Sequence, residues 1–311
     1  MNNSFINKIK DLALIPEVHG HLPLLKQKTI YNYKYSLARS NFWVFLAKKS
    51  KNYKRFYSEI MHEVKSTNLI DVKGDNLDEM CIKINKYGVS YIPNFFPSGQ
   101  YVELIKELNN QKIKDLDRSH DGYYGNVKYW NHFLTNNDEY IHYLKDSITS
   151  IAKKLLFPIS KNRIRINYSR LIKEDKIQDG DANTIFHSDR FIPTLKFFYY
   201  PNNSVIDSAP FEFIPFSHYI SDSFLSAYKK YFLDVSKKLK SPYPCALDFT
   251  NNLKPLSLTV PANSLVACFT HGMHRRRPFP EMKKSSSILE RDILLIHFYN
   301  QQTKLDLFKF F

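Results

Sequence analysis

Residues Phe186-His187-Ser188-Asp189 place an imidazole and a carboxylate two positions apart. On an extended strand such residues point to the same side. His187 and Asp189 then present one nitrogen and one oxygen donor to a shared point. A second histidine arriving from a distant strand completes a face of two histidines and one carboxylate. Such a face leaves three positions of an iron(II) ion open, as oxygen chemistry requires. An H-x-D spacing by itself is a weak signal, and its weight comes from the histidines and arginines further along the chain.

The stretch Ser264–Arg277 reads SLVACFTHGMHRRR, a strand-like run that ends in two histidines. His271 and His274 compete for the role of second imidazole. Arg291 then opens RDILLIHFY, another strand-like run. An arginine there can grip a carboxylate through a bidentate pair; Arg275, Arg276 and Arg277 offer the same group. His218 reads as the stabiliser of a turn. Lys196 lies inside an apolar strand, where it either snorkels to water or meets a substrate anion.

Other chemistries lack their residues. The chain has only eight glycines, and no G-x-G-x-x-G, Walker loop, G-x-S-x-G or H-E-x-x-H occurs. Cys81, Cys245 and Cys268 stand far apart, which excludes C-x-x-C zinc ribbons and points to reduced thiols. Met1 to Leu14 has no continuous apolar core, and no run of about 18 apolar residues appears. A cytoplasmic enzyme is the expectation.

These residues need elements to position them. Asn76 caps a predicted helix that Gly88 stops, with Leu77, Met80, Ile84 and Tyr87 on one face. Val89–Ile92 reads as a short strand. Ser98 caps a second helix, and a third runs from about Asp138 to Phe157. Short strands follow at Arg163–Leu171, Leu195–Tyr200, Phe211–Pro215, Leu256–Val260, Ser264–Thr270 and Asp292–Tyr299. A helical insert over Ser217–Leu239 interrupts them. The pattern predicts a mainly β barrel or sandwich with a helical layer.

In this context several segments resemble, in order, the phytanoyl-CoA dioxygenase family of iron(II)/2-oxoglutarate oxygenases. YGVSYIPNFFPSGQYVELIKEL resembles its opening segment and FHSD its metal-binding H-x-D. SAPFEFIPFSH resembles its G-P-L-x-x-x-P-G-S-H stretch. NSLVACFTHGMHRRRP resembles the strand with the distal histidine, and RDILLIHFY the strand with the co-substrate arginine. The resemblance spans about Tyr87 to Tyr299, roughly two thirds of the chain. It implies a double-stranded β-helix, a jelly-roll or cupin-like barrel with the metal at one mouth. It also implies Fe(II), 2-oxoglutarate as co-substrate, O2, and hydroxylation with release of succinate and CO2.

Carried over residue by residue, His187, Asp189 and His274 are the metal ligands and Arg291 binds the far carboxylate of 2-oxoglutarate. Tyr199 falls where relatives place an aromatic near the co-substrate, and Asn167 is a further contact. Two departures stand out. Phe216 replaces the usual glycine before Ser217-His218, and Arg291 follows His274 by 17 residues, a longer interval than the family pattern. The alternative is a cupin-like metal-binding module or isomerase without oxygenase activity.

The chain divides near residue 75 into a basic, aromatic helical extension over 1–75 and the oxygenase-like domain over 76–311. Its net charge is +15, and Leu22–Tyr57 alone carries nine Lys/Arg, nine aromatics and no Asp or Glu. Ser40–Val64 suits an amphipathic helix. Such a segment either packs on the barrel or docks an anionic substrate carrier or a membrane surface. No nucleic-acid motif accompanies it, so nucleic acid is not the expected partner. The expected substrate is a small molecule, a sugar or a lipid.

Overall fold

The computed structural model describes residues 70–114, 122–124, 127–134, 139–155, 164–173, 184–189, 195–205, 209–218, 254–278 and 290–298. Residues 1–69 of the basic extension, with the predicted helix over Ser40–Val64, and nearly all of the predicted insert over Ser217–Leu239 lie outside them. No helix among the described residues is long and apolar enough to cross a membrane.

Helix α1 (Leu77–Tyr87) begins where Asn76 accepts from the backbone N–H groups of Asp78 and Glu79, both at 3.0 Å. It ends at Gly88, whose N–H closes on the Ile84 carbonyl at 2.8 Å with φ 87. A Cβ at Gly88 would stand 2.5 Å from His218 Nδ1 and 2.7 Å from the Phe213 ring. Conformation and space both require glycine there. Two further helices follow, α2 (Ser98–Lys114) and α3 (Glu139–Lys154).

Among the described residues ten strands accompany them: β1 (Val89–Ile92), β2 (Gly122–Tyr124), β3 (Val127–Leu134), β4 (Ile164–Lys173), β5 (Leu195–Tyr200), β6 (Phe211–Phe213), β7 (Leu256–Ser257), β8 (Ser264–Phe269), β9 (His274–Arg276) and β10 (Glu290–Phe298). Seven form one sheet in the order β1-β8-β5-β10-β4-β3-β2, and three form another in the order β7-β6-β9. All pairings between these strands are antiparallel. His187 adds a single antiparallel bridge to His274 at the free edge of β9. From β4 onward the chain alternates between the sheets: β4 in the large one, His187 in the small one, β5 in the large one, β6 and β7 in the small one, then β8, β9 and β10 by turns. That winding is a double-stranded β-helix, and the fold is mainly β with a helical layer, as expected. The β2–β3 hairpin was not expected.

Alternation along β5 separates two cores. Leu195, Phe197 and Tyr199 join the helices in one cluster with Ile84 of α1, Leu104 of α2 and Ile148 of α3. Phe198 and Tyr200 point the other way, into the space between the sheets, with Phe211, Phe213, Val266, Cys268 and Ile293. Strand β8 is buried along its whole length, which explains its near-continuous apolar run. Each such Leu, Ile or Phe contributes roughly 1.5–3 kcal/mol. The sheets are therefore fixed rigidly enough to hold polar side chains at the barrel mouth. Contacts with the barrel begin before residue 76: Val72 is buried in the inter-sheet cluster, and Lys73 bridges Tyr91 in parallel.

Candidate metal centre

The backbones of His187 and His274 exchange both hydrogen bonds, each at 2.9 Å. Directly paired antiparallel residues send their side chains to the same face. The two imidazoles accordingly stand with centroids 4.6 Å apart. One step along, the Asp189 N–H donates to the Thr270 carbonyl at 2.9 Å, turning its carboxylate toward the rings. Asp189 Oδ1 lies 3.6 Å from His274 Nε2 and 3.9 Å from His187 Nε2. One donor atom from each of the three residues falls within 4.8 Å of the others.

The far sides of both rings are engaged. His187 Nδ1 meets the Ile185 carbonyl at 2.7 Å, and His274 Nδ1 meets the Gly272 carbonyl at 3.0 Å. A carbonyl only accepts, so each Nδ1 carries the proton and each Nε2 presents its lone pair to the site. Burial, and then the neighbouring His274, push the His187 pKa down to about 4; its ring is neutral near pH 7, as ligation demands. Burial alone would raise the Asp189 pKa, but the Lys196 charge and then His274 overcome it and hold it well below the ordinary carboxylate value. Two imidazole nitrogens and one ionised carboxylate oxygen form a donor set for a divalent transition metal. First-row ions bind such atoms at about 2.1 Å, which puts neighbouring ligands about 3 Å apart. Small side-chain movements bring the observed spacings to that value, so the residues fit the ion.

The turn that carries His274 is braced from below. Ser217 Oγ accepts from the Met273 N–H at 2.7 Å and donates to the Ile214 carbonyl at 2.6 Å. The Ile214 N–H donates to the Met273 carbonyl at 2.9 Å. A Cβ on Gly272 would lie 2.6 Å from Phe213 Cζ, so the turn packs against β6 only as glycine. Phe216, which stands where the resembled family has glycine, has φ 66. A bulky side chain occupies a left-handed position, held by an edge-on contact with the Tyr87 ring at 5.6 Å. The cost of that conformation is about 1–2 kcal/mol.

The geometry separates the competing histidines. His274 belongs to the donor cluster. His271 turns instead toward Phe269 and His218, at ring distances of 5.4 and 6.3 Å, and its carbonyl accepts from Ser188 Oγ. His218 is buried, stacked on Phe269 at 5.4 Å and in contact with the Asn85 carbonyl at 3.2 Å. Its surroundings are those of a turn-stabilising residue.

Competition among the arginines also narrows. Arg275 Nε lies 2.6 Å and Arg277 Nη1 3.3 Å from Glu212, and Arg275 covers the Phe186 ring. Arg276 shares the His274 face of β9 and is buried. Arg291 shares its face of β10 with Ile293 and Leu295 of the inter-sheet cluster. Arg291 Nη1 donates to the Ala209 carbonyl at 2.5 Å, while its buried Nε has no hydrogen-bond partner among the described residues.

One expectation is corrected. Tyr199 points away from the site into the helical layer, where its hydroxyl donates to Asn263 Oδ1 at 3.0 Å and its ring packs on Phe96. Strand parity puts Tyr200 on the inner face instead. There burial raises the phenol pKa while the Arg291 charge opposes it, so Arg291 and Tyr200 act on the same enclosed space. The backbone of Asn167 lies in β4 opposite Leu295; its side chain lies outside the described residues. Lys196 is the residue whose position the sequence left open, and it lies at the centre: its Nζ stands 2.6 Å from Asp189 Oδ2. An inward-facing lysine in an otherwise apolar strand was the available signal.

No protein-family model matches the chain, and no curated protein matches it. Among solved structures it is similar to the epimerase SnoN in complex with Fe3+, alpha ketoglutarate and nogalamycin RO, at 15% identity and TM-score 0.46 over 71% of this chain and 83% of that one. It is also similar to the alpha ketoglutarate dependent carbocyclase SnoK from nogalamycin biosynthesis, at 13% identity and TM-score 0.44 over 74% and 84%. A third is a Pseudomonas putida prolyl-4-hydroxylase, at 11% identity and TM-score 0.44 over 73% and 100%. At these identities and scores neither reaction nor substrate transfers to this chain.

Proposed function

We propose that the chain is a mononuclear non-haem iron(II) dioxygenase that uses 2-oxoglutarate and O2 to hydroxylate a small-molecule, sugar or lipid substrate, in the manner of the phytanoyl-CoA dioxygenases it resembles. One observation carries this reading: His187 Nε2, His274 Nε2 and Asp189 Oδ1 converge from one side, with both Nδ1 atoms tied to carbonyls. A bound iron(II) supplies open positions for the keto acid and O2, and couples decarboxylation of 2-oxoglutarate to oxidation of the substrate.

The chain's own residues do the positioning. Arg291, whose buried Nε has no hydrogen-bond partner among the described residues, receives the far carboxylate of 2-oxoglutarate, and Tyr200 offers a hydroxyl on the same face. Apolar walls from Phe198, Phe211 and Ile293 exclude water, which strengthens that charge pairing. Asp189 fills the position that a halide would need, which favours hydroxylation over halogenation. A metal-binding module or isomerase is the alternative.

The test is spectroscopic first. Protein with Fe(II) and 2-oxoglutarate, kept free of oxygen, is expected to show the weak visible charge-transfer band of the chelate. Admitting air with a panel of substrates then identifies the one that drives succinate release. Metal binding with no response to 2-oxoglutarate would replace this reading with the isomerase or binding-module alternative.

A further inference from the structure

We propose that Lys196 is the positioning residue of the metal centre: its ammonium holds Asp189 Oδ2, so that Oδ1 alone faces the two imidazoles and the carboxylate ligates through one oxygen. This rests on reading His187, Asp189 and His274 as a metal site.

Strand β5 puts Lys196 where an apolar residue would be expected. Its helix-facing neighbours Leu195 and Phe197 are buried, and its partner on β8 is Cys268, which is also buried. The lysine points to the inner face, where its Nζ lies 2.6 Å from Asp189 Oδ2. Asp189 Oδ1, by contrast, points at His274 Nε2 and His187 Nε2. The two oxygens of one carboxylate are thus assigned to different partners before any ion arrives.

A carboxylate with an 11% exposed side chain needs a counter-charge. The ammonium supplies one as an ion pair to Oδ2 at 2.6 Å. When an ion takes Oδ1, the lysine retains Oδ2, the arrangement by which outer partners orient ligating carboxylates. Without it, Oδ2 is free to rotate onto the ion. Two-point ligation then consumes one of the three positions that 2-oxoglutarate and O2 require. The ammonium also repels a divalent ion, so metal affinity alone is a poor readout of its role.

The number of open positions is therefore the measurement. Mn(II) is loaded into the full chain and the water-proton relaxivity per bound ion is recorded, with Lys196→Met and Lys196→Gln compared by circular dichroism and read on whichever retains the parent spectrum. Loss of the ammonium is expected to lower relaxivity by about a third, as three open positions become two. It is expected to raise the dissociation constant of 2-oxoglutarate roughly 10-fold. Lys196→Arg, which keeps a cationic donor, is expected to keep both parent values. Parent-like relaxivity and 2-oxoglutarate affinity in the neutral variants overturn the proposal, as does an arginine variant that behaves like the methionine one. A parent chain that binds no Mn(II) refutes the metal-site reading itself.

Discussion

His187 and His274 are joined by reciprocal backbone hydrogen bonds at 2.9 Å, the single bridge by which the H-x-D segment attaches to the small sheet. The geometry of the donor set depends on this link, because it brings two distant parts of the chain to the same face. His274→Ala is expected to weaken divalent-metal binding by more than the roughly 10–100-fold typical of losing an outer partner. His187→Ala and Asp189→Ala should do the same and abolish 2-oxoglutarate-dependent succinate formation. His271→Ala, which removes a ring outside the donor cluster, should change metal affinity by less than about 10-fold. Isothermal titration with Mn(II) checks the order, and the reverse ranking of His271 and His274 contradicts it.

Arg291 and Tyr200 face the enclosed interior. Replacing Arg291 with Ala should raise the apparent KM for 2-oxoglutarate about 10–100-fold, the equivalent of a charge-assisted hydrogen bond worth roughly 1.5–3 kcal/mol. Tyr200→Phe should raise it by a smaller factor. Tyr199→Phe, which removes the bond to Asn263, should leave that KM unchanged and lower stability by about 1 kcal/mol. Steady-state kinetics and chemical denaturation separate the two tyrosines.

Acid sensitivity has an identifiable source in His218. Burial, and then the neighbouring His271, hold its pKa down to about 3 against an ordinary 6.5. The unfolded chain therefore takes up the proton first. Stability is expected to be unaffected above pH 6.5, to fall as the pH drops below it, and to level off near pH 3. Each unit of separation is worth about 1.4 kcal/mol, so the full loss amounts to several kcal/mol. His218→Gln should flatten the slope of unfolding free energy between pH 6 and pH 4. An unchanged slope would assign the acid sensitivity to other groups, such as His187.

At Phe216 the usual ranking of alanine above glycine should reverse. Both replacements lose the packing against Tyr87, but only glycine relieves φ 66. Phe216→Gly is expected to be about 1–2 kcal/mol more stable than Phe216→Ala. Equal midpoints in urea would mean that the turn relaxes when the ring is gone.

For the basic segment over residues 22–57, outside the described residues, docking to an anionic carrier or membrane surface remains the proposal. Reversing Lys48, Lys49, Lys51 and Lys54 to Glu should raise the apparent KM for the natural substrate and abolish its salt dependence, with uncoupled 2-oxoglutarate turnover unchanged. Each such exposed pairing is worth at most about 1 kcal/mol and is screened by salt, so only the combined change is readable. Kinetics identical to the parent make the segment structural.

Local chemistry was readable along the chain because it depends on short spacings. Asn76 and Gly88 bracket α1 since capping needs only a side-chain acceptor and a left-handed residue at the ends. The spacing of His187 and Asp189 follows from period-two geometry, while β5 and β8 read as strands from aromatic and β-branched runs bounded by Pro, Asn or Ser. The β2–β3 hairpin was missed, although Gly125-Asn126 separates two runs rich in tyrosine and other β-prone residues, the signal of a two-residue turn.

Tertiary structure decided which face each residue occupies and which distant residues meet. Strand β5 reads LKFFYY, with aromatics on both faces, so alternation cannot say whether Tyr199 or Tyr200 lines the barrel. That depends on where the helices lie. The choice between His271 and His274 depends on the register between β9 and the His187 segment, which backbone pairing sets. The contact of Lys196 with Asp189 depends on strands from opposite sheets approaching at the barrel mouth. No spacing along the sequence encodes that approach; it arises when the two apolar faces close on each other and exclude water.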